Sequence, residues 1–339
     1  MKVGQQIFRR GAWSSISHQI NNADLVLMFG SSNLIGDKDV IKDLKDNHPS
    51  ALILRGSTSG NIIGAELIEE GLTFTAIEFD KSSIRGVEVA MSEDSFRDGK
   101  SLIGKLEKDN LKHVFILSDG LNVNATELIK GINTVLPDNV NVTGGLAGDG
   151  VHFKVTKVGL DDNLDTNNIV AIGLYGKDLK ISYAAEGGWE RFGIERIVTK
   201  SKGNVIYELD NQEVIRTIQS INEEERSISF FGDIPEGAIV YLTTGNFSSL
   251  TKGAKKAVVE SKNMLGVQPE LAIMISCVGR KVVMTEWTED ELGTVLNEIG
   301  TAIPTTGFYS YGELSPCHKN TKTCLFHNQT MALTLLSEK

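Results

Sequence analysis

The sequence predicts an α/β fold. Mixed, partly antiparallel sheets are flanked by helices, in two closely packed halves that admit a layered αββα arrangement. Three observations carry this reading. Short apolar runs end in turn residues, as buried strands do. Segments of helical length lie between them. Glycine supplies 34 of 339 residues, against about 24 at average usage. Proline supplies only 6, so the surplus glycine belongs to turns and not to a disordered Pro/Gly-rich composition.

The elements follow in order. ADLVLMFG (23–30) is a buried strand, and a short helix over 39–47 stops before Pro49. ALILRGST (51–58) runs into a Gly-rich turn, GSTSGNIIG (56–64). LTFTAIEFD (72–80) and IRGVEVAM (84–91) alternate, which predicts an antiparallel pair with one face more polar. A helix near 94–108 leads into HVFILSDG (113–120). Asn124 is placed to cap the helix ATELIKGINTVL, with Glu127 three residues on in a capping-box-like pattern. NVNVTGG runs into a second Gly-rich turn, GGLAGDG (144–150), followed by the extended runs FKVTKVGL, NNIVAIGLYG and LKISYAAEGGW. Residues 195–220 read as a hairpin turning at Lys-Gly-Asn, then a helix. LAIMISC (271–277) is another buried strand, 288–299 a helix, GFYSYGELSP (307–316) a third Gly-rich segment and TMALTLL (330–336) the last strand.

One order therefore occurs three times: strand, polar turn, helix, second strand, Gly-rich turn, antiparallel strands. The first and third turns align as Gly56-x-x-Ser59-Gly60-Asn61-Ile62 and Gly307-x-x-Ser310-x-Gly312-Glu313-Leu314 with one inserted residue. Either the units share an architecture, or an ordinary mixed fold places glycine at its strand ends. The halves join near residue 190, giving an N-terminal extension (1–22), a first domain (23–190) and a second (191–339). No low-complexity linker separates them.

The net charge is −10. An acidic chain lacks the broad basic field that supports phosphate-backbone binding, so nucleic acid is not an expected partner. The N-terminus has no apolar h-region and no apolar run approaches the ~20 residues that cross a bilayer. Three cysteines, Cys277, Cys317 and Cys324, cannot all pair, and they read as reduced thiols. A cytoplasmic chain without membrane insertion is expected.

The segments GSTSGNIIG, VTGGLAGDG, VTKSKGNVIYELDNQ, ISCVGR, GFYSYGELSP and FHNQTMALTLL occur in the order found in the FIST family. In this order the chain resembles FIST proteins, with a FIST N-like part at 23–190 and a FIST C-like part at 191–339, and no kinase or F-box-like extension. The resemblance implies a bacterial-type sensory module for signal transduction. Its ligand would be a small molecule such as an amino acid, its signal passing to a separate partner. It also implies an alternative, since some members are haem proteins that sense nitric oxide and regulate a histidine kinase. One motif departs from the pattern: Ser57 stands where many relatives carry cysteine, and Asn61 where they carry glutamate.

Ligands of open α/β sheets sit beyond strand C-termini, and glycine there exposes backbone N–H groups. Ser57, Thr58, Ser59 and Asn61 form one candidate wall, and Gly144, Gly145 and Asp149 a second. An α-amino group would seek Asp149 or Glu313, and an α-carboxylate would seek backbone donors or Arg280. Otherwise the glycines make tight turns and Asp149 caps backbone amides. If GFYSYGE is extended, Tyr309, Tyr311 and Glu313 share a face. Cys277 beside Arg280, with His327 as base, is the candidate for a Cys-dependent enzyme; a buried structural thiol is the plainer reading, and no catalytic residue is assigned.

Neither Gly-rich turn has P-loop or GxGxxG spacing, so no nucleotide is assigned. Cys317, His318, Cys324 and His327 do not match common zinc spacings. No cofactor is assigned. For haem, the candidate axial ligands are His18, His48, His113, His152, His318 and His327, with no C-x-x-C-H motif.

Overall fold

The computed structural model describes residues 1–17, 20–213, 220–222, 227–229, 233–316 and 323–339. Their strands form four sheets, three of which repeat one unit. Each unit has a leading strand, a first strand, a helix, a second strand parallel to the first, a hairpin, and a closing strand antiparallel to the first.

In the first unit, Leu25–Gly30 and Leu52–Ser57 are parallel around helix Lys38–Asn47. Leu72–Glu78 closes the unit and carries the leading strand Lys2–Arg9, so it does not pair with 84–91 as its alternation suggested; Ser83–Ala90 joins the next unit's sheet. The stretch 1–22, assigned no element from sequence, thus supplies part of a sheet. The second unit repeats this with Leu111–Ser118 and Asn141–Leu146 around helix Ala125–Val135, closed by Asn168–Tyr175 with leading strand Ser83–Ala90. The third has Leu271–Cys277 and Thr305–Ser310 around helices Val278–Met284 and Thr288–Ile299, closed by Met331–Ser337 with leading strand Lys180–Glu186.

Each hairpin is exchanged cyclically. The first unit's hairpin (Asn61–Ile63, Glu66–Ile68) pairs with the third unit's second strand, with Ile62 opposite Gly307. The third unit's hairpin (Glu313–Pro316, Cys324–His327) pairs with the second unit, with Leu314 opposite Gly144. The second unit's hairpin (Val158–Leu160, Asn163–Asp165) pairs with the first, with Val158 opposite Gly56. Gly56 and Gly307 are therefore equivalent, as the aligned turns predict, and Asn61 and Glu313 occupy equivalent places.

The central strands of each sheet, such as Leu25–Gly30, Leu111–Ser118 and Leu271–Cys277, are buried on both faces, which is why they read as unbroken apolar runs. The inner faces of all three sheets meet in one core containing Leu27, Phe29, Leu117, Ile172, Ile275 and Phe308. Helices cover the outer faces: Val40 and Leu44 pack on Met28, Leu102 and Leu128 on Ile116, and Val258 and Val295 on Met274. Helices therefore lie outside the sheets, whose inner faces share one core.

Asn124 caps its helix as expected, accepting from the Glu127 N–H at 3.1 Å. The Glu127 carboxylate pairs with Lys130 instead of returning to the cap. Residues 195–220 begin with the expected hairpin, Glu190–Lys202 against Val205–Leu209. The helix expected next falls largely outside the described residues, and Gln212–Glu213 pairs as strand. These strands, with Ile239–Thr244, belong to the fourth sheet, which is inserted into the third unit. Helix Phe247–Leu265 follows it, capped by Asn246 and Ser249.

Candidate functional site

The C-terminal ends of the parallel strands converge where the three units meet, enclosing a cleft of about 440 Å³. Ser31, Ser32 and Asn33 follow the first unit's first strand, and Thr58, Ser59 and Gly60 its second. Asp149, Gly150, Val151 and His152 follow the second unit's second strand. Lys281 follows the third unit's first strand, and Glu69 comes from the exchanged hairpin of the first. This is where ligands of α/β sheets bind. An open groove of about 640 Å³ lies at the opposite strand ends. Its carboxylates are already engaged: Asp24 by the Phe79 N–H, Asp161 by the Ile53 N–H and Asp162 by Lys45.

Lys281 reaches over the Tyr309 ring, donates to the Ser59 carbonyl at 2.9 Å and pairs with Glu69. The Ser59 hydroxyl donates to the Gly150 carbonyl at 2.9 Å, tying the first unit's turn to the second's. Asp149 holds the cleft wall from behind. Its carboxylate accepts from the N–H groups of Phe153, Lys154 and Val155, each at 2.8 Å, and from the Tyr311 hydroxyl. Burial alone would raise its pKa, but these hydrogen bonds outweigh burial and hold it below the usual value. Burial, then the bond to Asp149, pushes the Tyr311 phenol up.

Of the sequence candidates, Thr58, Ser59 and Asp149 border the cleft. Ser57 accepts from the Lys157 N–H at 2.8 Å and pins the incoming hairpin. Asn61 is buried, accepting from Thr58 and donating to the Ile68 and Gly71 carbonyls. Gly144 and Gly145 lie within a strand. Arg280 is fully buried, pairing with Glu291 and donating to the carbonyls of Gly187 and Leu250.

Tyr309, Tyr311 and Glu313 do not share a face. The chain leaves one sheet after Ser310 and enters another at Glu313, so the extended alternation breaks. Tyr309 packs in the third unit's outer core, Tyr311 beside Ala125, Leu146 and Val278. Glu313 accepts from Ser310 at 2.7 Å and Thr330 at 2.8 Å.

Sequence reasoning missed Ser31–Asn33, Glu69 and Lys281; it placed Gly60 and Gly150 only within Gly-rich turns and named His152 only as a haem candidate. The polar turn after LVLMFG was the available signal for the first three, since the strand-end rule applies there as it does at Ser57. Glu69 and Lys281 meet only through the hairpin exchange.

Burial raises the Cys277 thiol to about 12, with Glu313 adding to the effect. That environment opposes the thiolate which nucleophilic chemistry needs. His327 shares a 2.9 Å hydrogen bond with the Ser315 carbonyl. Cys317, His318 and His18 lie outside the described residues. Among the described residues, no group of three or more His, Cys, Asp or Glu is arranged to hold a metal.

Haem needs an axial histidine beside an apolar slot of porphyrin size. His113 is buried against Thr143, its pKa lowered to about 3 by burial, and the apolar void beside it is only about 20 Å³. His48 borders a space of about 40 Å³, and His152 faces the polar cleft. Around these three histidines no apolar slot of that size is formed.

Burial raises the Glu313 carboxyl to about 7 against 4.5, despite the Ser310 and Thr330 bonds. The folded chain then holds this proton over a range where the unfolded chain has released it. Stability from this group is complete below about pH 4.5 and is lost as pH rises toward 7, about 3 kcal/mol in all. Glu313→Gln mimics the protonated form, with its amide donating to Ser310 and its carbonyl accepting from Thr330. Urea midpoints measured from pH 5 to 8 are expected to fall for the wild type and to stay flatter for the variant.

No curated protein matches the chain. The family model of the FIST N domain matches residues 24–212, and that of the FIST C domain matches 174–316. The first match covers most of the first two units and enters the inserted sheet; the second runs from the end of the second unit's closing strand through the insert and much of the third unit. FIST domains are associated with sensory functions in signal transduction. Among the described residues no helix is long and apolar enough to cross a membrane. With more than half of its residues within one of these matches, the chain belongs to the FIST family.

Proposed function

We propose that this FIST protein is a sensory module whose small zwitterionic ligand, of the amino-acid class, binds the cleft between the three units and that the signal passes to a separate partner protein. The observation that carries this reading is that all three units deliver polar groups to one cleft, with one cation and one carboxylate already paired across it. Lys281 takes the ligand's carboxylate and Glu69 its ammonium group. Exposed pairs of this kind are worth about 0–1 kcal/mol, so exchanging them for the ligand's charges costs little. The Glu69 side chain is 60 % exposed and that of Lys281 20 %, so the pair lies at the solvent edge of the cleft. The Ser and Thr hydroxyls then fix orientation. A ligand that prefers one arrangement of the units shifts their population.

The test is thermal melting of the purified protein against the twenty standard amino acids. At a hundredfold excess over Kd a binder stabilises by about 2.7 kcal/mol, a shift of several degrees. Lys281→Ala and Glu69→Gln should each weaken that binding about tenfold or more, as expected for a lost charged hydrogen bond, with little change in the unliganded melting temperature. No shift with any amino acid, or shifts unaffected by both variants, would contradict the reading.

A further inference from the structure

Lys281 and Arg280 are neighbours on the seven-residue helix Val278–Met284, yet they face different parts of the molecule. Lys281 lines the cleft. The Arg280 guanidinium is fully buried and donates to two backbone carbonyls at the root of the inserted sheet. Gly187 lies three residues before the sheet's first strand, Glu190–Lys202. Leu250 lies six residues after its last described strand, Ile239–Thr244. One side chain therefore holds both chain crossings into the insert. The crossing is closely packed around it. The Trp189 indole donates to the Gln329 carbonyl at 2.8 Å, and a Cβ on Gly253 would stand 2.6 Å from the Gly188 nitrogen. The insert itself has a thin core of Val198 and Ile206, with Phe192, Ile197, Ile239 and Leu242 exposed.

We infer that Arg280 is a positioning residue coupling the cleft to the inserted sheet, so that the insert is the element which reports occupancy of the cleft. This rests on the reading of the cleft as the ligand site. When a ligand takes Lys281 from Glu69, the helix is released at its cleft side. Arg280 carries that displacement to Gly187 and Leu250, because a planar guanidinium holds both carbonyls in one fixed fork. Glu291, on the next helix, neutralises Arg280 and keeps the fork oriented. A purely structural arginine would stitch the same segments together but would not make the insert respond to a change in the cleft.

Amide hydrogen exchange on the full chain tests this without any ligand. Lys281→Met, which removes the cleft ion pair, should speed exchange at least about threefold in residues 187–192 and 240–250, where opening is local. Lys45→Met removes a comparable surface pair with Asp162 in the first unit and should leave those amides unchanged. In an Arg280→Lys background, whose ammonium cannot hold both carbonyls, Lys281→Met should add no further change. If Arg280→Lys does not fold, Glu291→Gln serves as the second background, since it loosens the guanidinium while keeping an acceptor. Exchange at the insert that is unchanged by Lys281→Met would overturn the inference, as would equal increments in wild-type and altered backgrounds. Either result would leave the ligand-binding test standing on its own.

Discussion

Gly144→Ala is expected to give the largest loss of stability of any single methyl addition near the site, and Gly307→Ala should match it. A Cβ on Gly144 would stand 1.9 Å from the Ile116 carbonyl oxygen, and one on Gly307 would stand 1.8 Å from that of Met274. Both obstacles are backbone in the neighbouring parallel strand, so no rotamer change relieves them. Both glycines also face an exchanged hairpin, opposite Leu314 and Ile62. Moving the strand to make room would therefore separate two units as well as two strands. A cost above about 3 kcal/mol follows from strain that the surroundings cannot absorb. Gly150→Ala is the control. Its φ is +76°, but the nearest obstacle to a Cβ is the His152 ring at 3.5 Å, so only the left-handed backbone penalty of about 1–2 kcal/mol applies. Urea midpoints should order wild type, Gly150→Ala, then Gly144→Ala and Gly307→Ala far below.

The second large effect concerns Arg280 and Glu291, whose side chains are both 0 % exposed. Burial outweighs the guanidinium and pushes the Glu291 carboxyl up, so the pair sits in a poorly solvating environment. Glu291→Ala leaves a buried guanidinium without its acidic partner and should cost about 3–5 kcal/mol. Removing both, as in Arg280→Met with Glu291→Leu, should cost less than the two single changes combined, because no unpaired charge is left behind. A double-mutant cycle on urea midpoints reads this directly. An additive result would show that the two side chains do not act as a pair.

Much of the fold was legible in the sequence because strands buried on both faces leave an unmistakable apolar run. LVLMFG, VFILS and LAIMISC all stand where they were expected. The repeat was legible in the Gly56 and Gly307 turns, whose alignment the sheet register reproduces. Helix Phe247–Leu265 was not, because its buried side is made of small residues such as Gly253, Ala254 and Ala257 among lysines and serines, which gives little apolar contrast. Its cap uses Ser249 where a capping box normally shows Glu or Gln.

The site was half legible. Strand ends pointed to Thr58, Ser59 and Asp149, which border the cleft, whereas Arg280, Glu313 and the two tyrosines are buried away from its lining. A charged or phenolic side chain beside glycine is as well suited to a buried hydrogen-bond network as to a ligand. Asp149 shows the difference. It borders the cleft, yet its carboxylate is already engaged by three N–H groups and a hydroxyl. The charges left facing the cleft, Lys281 and Glu69, come together only because one unit's hairpin crosses to another unit's sheet, and local sequence carries no signal for that exchange.

The claim that the three units share one ligand site is tested most directly by mapping amide chemical shifts on adding the amino acid that gives the largest melting shift. The proposal predicts perturbations in all three units at once, at residues 31–33, 58–60, 149–152 and 281. Perturbations confined to one unit, or centred on the groove around Asp24 and Asp161, would contradict it.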